Sequence, residues 1–130
     1  MPLEIEEFKK LKDAFEDAAI VACKDVGLEY TGFNGKELAL PEDESVEQRE
    51  VFVAWKSCSR LTDSCTVIQQ QLDQGNVKNA NSFANHLIEN SGSLIEYWDK
   101  IYQKPENPKD AEIVETGKAL LDYIVENHTP

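Results

Sequence analysis

The chain has 130 residues, 41% of them hydrophobic, and a formal net charge of −12. Its length fits one domain. Its acidity repels phosphate backbones and anionic membrane surfaces, and no apolar run approaches the roughly 18 residues of a membrane helix. The charge is uneven: residues 1–52 carry 14 acids against 6 bases, 53–104 carry 5 against 5, and 105–130 carry 6 against 2. The near-neutral middle, rich in Ser, Asn and Gln, is where another molecule docks with least repulsion. Met1-Pro2-Leu3-Glu4 lacks the basic and apolar regions of a signal peptide, so a cytoplasmic location is expected.

The first predicted helix spans about 3–26. Phe8, Leu11, Phe15, Ala18 and Ala22 recur at steps of 3 and 4, the period of a buried helical stripe. Lys12-Glu16 and Glu6-Lys10 mix with the repulsive Asp13-Asp17 at i,i+4, as on a solvated acidic outer face. Residues 28–41 break the helical pattern. Asn34-Gly35 suits a type I′ turn, so a small β-hairpin or extended insertion is expected, resting on the helices because a lone hairpin is marginal in water.

A second helix is predicted over about 44–74. Val51, Ala54, Cys58, Leu61, Cys65, Ile68 and Leu72 form a continuous seam of alternating 3- and 4-residue steps. Glu42, Asp43 and Glu44 crowd its start, where the helix macrodipole favours anions. A third helix, about 76–103, continues the pattern through Val77, Ala80, Ala84, Leu87, Leu94 and Trp98, with Gly92 as its weak point. Pro105 and Pro108 force a break. The fourth helix, about 108–127, has Asn107 as N-cap, Pro108 at N1, and Ile113, Gly117, Leu120 and Ile124 as its seam. Together the elements predict an all-α fold, an antiparallel four-helix bundle with the insertion between helices 1 and 2. The wide apolar arc of helices 2 and 3 also suits a homodimer.

Three cysteines, Cys23, Cys58 and Cys65, without a CxxC spacing argue against a disulfide framework or a zinc ribbon. Cys58 and Cys65 lie roughly 10 Å apart along one helix, beyond disulfide reach. They read as small buried hydrophobes. Trp55 and Trp98 read as core, and His128 as a residue at a helix end. No phosphate-binding loop, zinc-protease or nucleophile-elbow motif occurs. The 13 basic residues are scattered, which disfavours direct nucleic-acid binding.

Two constellations carry some chemistry. Glu44, Glu47 and Glu50 on helix 2, with Glu96 and Asp99 on helix 3 and Glu112 and Glu115 on helix 4, have the spacing of paired metal-binding carboxylates. This ExxE-plus-ExxD layout resembles the all-α nucleotide pyrophosphohydrolases and implies a metal-dependent hydrolase. Against it, Glu47, Glu96 and Asp99 fall off the seams, so no metal or cofactor is expected. The run His86-Leu87-Ile88-Glu89-Asn90-Ser91-Gly92-Ser93 resembles the motif of histidine phosphotransfer domains, acidic four-helix bundles with an exposed histidine. The resemblance implies His86 as phosphoacceptor, but Glu89 and Asn90 stand where that family has lysine and glycine, and Glu89 repels a phosphoryl group.

The leading expectation is therefore a small, acidic, non-enzymatic protein that acts by protein–protein binding. Its candidate surface is Glu42, Asp43, Glu44 and Glu47. The expected partner is basic, such as a nucleic-acid-binding protein that the chain regulates or inhibits by mimicry.

Overall fold

The computed structural model describes residues 2–90 and 107–129. Among these the chain forms five helices and no strand: α1 Ile5–Asp25, α2 Val46–Ser57, α3 Ser59–Asp73, α4 Val77–Glu89 and α5 Pro108–Asn127. The all-α class is as expected. Residues 91–106, which hold Gly92, Glu96, Trp98 and Asp99, lie outside the described residues.

α1 and α5 form the most extensive helix pair. They run antiparallel: the Glu4 amide at the start of α1 donates to Tyr123 Oη near the end of α5, and Lys109 at the start of α5 pairs with Asp25 at the end of α1. α3 and α4 are the second close pair, also antiparallel, with Asn79 bonded to Gln71 at one end and Arg60 to Asn90 at the other. Their connection closes α3 with the amide of Asn76 on Gln71 O (2.8 Å) and that of Gly75 on Leu72 O (3.0 Å), the paired bonds of a Schellman motif. Asn76 then caps α4 by accepting from the Asn79 amide. At the start of α5, Asn107 and Pro108 occupy the expected N-cap and N1 positions. His128 Nδ1 lies 2.8 Å from Val125 O at the helix's end.

The expected helix over 44–74 is two helices. It starts at Val46, where Ser45 and Gln48 complete a capping box. It breaks at Cys58, whose amide bonds three residues back to Trp55 O (3.0 Å), while Ser57 Oγ donates to Ala54 O (2.6 Å). Hydroxyls that bond back to the preceding turn compete with the backbone ladder and bend helices. The seam nevertheless crosses the break without slipping. Val51, Ala54, Cys58, Leu61, Cys65, Ile68 and Leu72 are all buried. Burying an uninterrupted apolar stripe outweighs the one irregular residue.

The hairpin does not form. A type I′ turn needs positive φ at both central residues, and neither Asn34 nor Gly35 has it. The turn lies one residue earlier: Gly32, at φ +114, accepts at its carbonyl from the Gly35 amide. Side-chain anchors explain the outcome. Glu16 Oε2 accepts from the Phe33 amide at 2.8 Å, the Phe33 and Phe15 rings pack tilted with centroids 4.9 Å apart, and Tyr30 Oη accepts from Trp55 Nε1 at 2.9 Å. Leu28 and Leu38 are buried. These contacts hold each limb of the loop on the helices instead of on the other limb.

The outer face of α1 is less uniform than its charge pattern implies. Lys12 is buried, with its ammonium 3.7 Å from Glu16 Oε1. Glu16 thus neutralises a buried cation with one oxygen and holds the loop with the other.

Candidate partner-binding surface

The four expected surface acids separate into two kinds. Glu42 and Asp43 are exposed in a turn before α2, and Glu47 is exposed in the helix's first turn. Among the described residues no cation pairs with these three. Glu44 differs: it is half-buried, and Oε1 accepts from Arg49 Nη2. Its other oxygen is buried without a hydrogen-bond partner among the described residues. Glu44 therefore holds the α2 entry, and the surface available to a partner is Glu42, Asp43 and Glu47. The capping box that starts α2 was legible as Ser45-Val46-Glu47-Gln48, a pattern the acid cluster before it obscures.

The loop extends this surface. Its limbs, residues 28–31 and 36–41, are the two walls of a groove of about 510 Å³. Glu29 and Glu37 are exposed on these walls, with Lys36 as the cation between them. Lys56 reaches Glu37 at 3.9 Å, with both side chains mostly in solvent. Val46, 71% exposed, adds an apolar spot beside the acids.

Asp110, an acid in the first turn of α5, is buried, and its Oδ1 has no hydrogen-bond partner among the described residues. Burial, and then the charge of Glu50 on α2, push its carboxyl from 3.8 up to about 6. The folded chain holds this proton more tightly than the unfolded one. The associated stability is whole below about pH 4 and is lost as pH rises through about 6. Asp110→Asn is expected to stabilise the protein by about 1–2 kcal/mol at neutral pH: a shift of roughly two units limits the gain to about 3, and the lost macrodipole interaction and residual solvation subtract from it. Chemical denaturation from about pH 4 to 7.5 checks this, with the variant expected to show a flatter profile. An unchanged profile would remove Asp110 from the account.

His86 is exposed on α4. It shares a shallow groove with Arg60, Asp63, Ser64 and Asn90. Arg60 donates one guanidinium bond to Asn90 O (3.1 Å). A phosphoryl group here would meet one guanidinium and the Asp63 carboxylate, with Glu89 three residues along α4 adding to the repulsion. Glu47 and Glu50 are present on α2, but their expected metal-binding counterparts Glu96 and Asp99 lie outside the described residues. Among the described residues no three His, Cys, Asp or Glu side chains converge on a metal position. Cys23, Cys58 and Cys65 are all buried thiols. Burial pushes Cys23 up to about 11 and Cys65 up to about 12, so neither supplies a thiolate at neutral pH.

No family model, curated protein or solved structure matches the chain. Among the described residues no helix is long and apolar enough to cross a membrane.

Proposed function

We propose that the protein binds a basic protein partner through the acidic surface around Glu42, Asp43 and Glu47. The observation that supports this reading most directly is the contrast within one short stretch: Glu44 is spent on Arg49, whereas its three neighbours are exposed and no described cation neutralises them. Glu29 on the adjoining loop widens the same field, and Glu37, shared with Lys56, adds less. Such a surface steers a positively charged protein towards itself and competes with a nucleic acid for the partner's basic site. The reading is thus of a non-catalytic, cytoplasmic regulator or inhibitor. The expected antiparallel four-helix arrangement, with α2 and α3 as one broken limb, is the proposed scaffold.

The test is a pull-down from the native host with the wild-type chain and with Glu42→Lys, Asp43→Lys and Glu47→Lys combined. A partner captured by the wild type should be lost from the variant and released as salt rises, since exposed charges are screened over about 8–10 Å near physiological ionic strength. In purified form the reversal should slow association more than it speeds dissociation. The fold should survive, because all three side chains are exposed. Binding indifferent to both salt and reversal would defeat the acidic-surface reading.

A further inference from the structure

We propose that the groove between the two loop limbs receives an extended, Lys- or Arg-bearing segment of the partner, which joins the limbs as an added strand. This rests on the acidic-surface reading and specifies the shape of what that surface binds. The first observation is the burial pattern. Leu28 and Tyr30 face inward and Glu29 and Thr31 outward; Leu38 and Leu40 face inward and Glu37 and Ala39 outward. That two-residue alternation is how a strand lies on a core. Each limb is therefore prepared as a strand, yet the two do not pair with each other.

The second observation concerns the backbone. Leu28, Phe33 and Gly35 have their amides satisfied by Cys23 O, Glu16 and Gly32 O. Within 29–31 and 36–40 no backbone amide or carbonyl has a hydrogen bond among the described residues. Two lengths of strand-like chain with open backbone groups thus flank a groove of about 510 Å³. Strand addition uses such edges: main-chain bonds hold the incoming segment, and alternate side chains select it.

Charge chooses the occupant. Glu29 and Glu37 outnumber Lys36 along the groove, and Glu42 and Asp43, which pair with no described cation, follow Pro41 at its end. An incoming strand with a basic residue at every second position places those cations beside these carboxylates. A second copy of this chain brings a net charge of −12 to the same place, which opposes self-pairing.

The experiment uses the full chain and two labelled probes: a short peptide of alternating Lys and Val, and the same peptide N-methylated at alternate amides, which keeps the charge and removes backbone donors. Polylysine serves as the charge-only reference. The parent peptide should bind saturably, and the methylated one about tenfold more weakly, the loss expected for two or three backbone bonds. Hydrogen exchange should slow at residues 28–31 and 36–41 when the parent binds. Ala39→Pro, which removes one limb donor, should weaken the parent peptide more than polylysine. Equal affinity for the two peptides, or protection elsewhere, overturns the strand slot while leaving the acidic surface standing. So does salt-sensitive binding of polylysine without binding of the parent peptide. Failure of all three probes overturns both readings. Self-association with protection confined to the limbs puts a second copy in the groove and overturns the assignment to a partner.

Discussion

Phe15→Ala is expected to destabilise the protein by about 3–5 kcal/mol, the usual range for deleting a fully buried aromatic side chain. Phe15 is 1% exposed, and its ring meets Phe33 on one side and the backbone of α5 on another. The second contact depends on Gly117. A Cβ there would lie 3.0 Å from Phe15 Cε1 and 3.3 Å from Cζ, tighter than the ring accommodates without shifting. Gly117→Ala therefore sets two effects against each other. Alanine favours a helix interior by about 1 kcal/mol, whereas crowding a packed ring costs about 1–3. In the wild-type chain the crowding should win. In a Phe15→Ala background the obstacle is gone, and the same substitution should stabilise. A double-mutant cycle in urea reads this change of sign. An identical Gly117→Ala effect in both backgrounds would show that the ring contact does not set the α1–α5 approach.

Leu61→Ala, Leu87→Ala and Leu120→Ala should each cost about 2–5 kcal/mol. Leu61 and Leu120 are fully buried, and Leu87 is 5% exposed. Leu61 sits in the first turn of α3, directly after the break at Cys58. It thus reports whether the seam continues to carry load across that irregular residue. Val53→Ala, on the exposed side of α2 at 40% exposure, is the control and should stay within about 0.5 kcal/mol. If all three leucine variants left the urea midpoint where the control leaves it, the helical seams would be misassigned.

The helical stripes were legible because burial obeys the helical period. The seven seam residues from Val51 to Leu72, and Ile113, Gly117, Leu120 and Ile124 on α5, are all buried. Periodicity says nothing about a break that preserves phase. The interruption at Cys58 was therefore hidden inside an unbroken pattern, although Ser57, just before it, carries the hydroxyl that bonds back to Ala54 O. The hairpin failed for a different reason. Asn34-Gly35 is a local signal, and it lost to tertiary anchors from residues far along the chain, Glu16 and Trp55. The proposed site was half legible. Its acids stand out in composition, but the separation of Glu44 from its neighbours needs the position of Arg49, and the groove needs the failure of the hairpin. Asp110 shows the same limit: the first-turn rule predicts an acid there and cannot predict its burial.

The three buried thiols make the fold its own clock. Cys23 lies on α1, Cys58 at the break and Cys65 on α3, each sealed from solvent. A small disulfide reagent reaches such a sulfur only when the surrounding structure opens, so the rate at which each thiol is modified measures how often its neighbourhood comes apart. If the irregular residue between α2 and α3 is a place where the chain loosens first, Cys58 will be modified ahead of the other two. If the whole structure opens as one unit, all three will react in step.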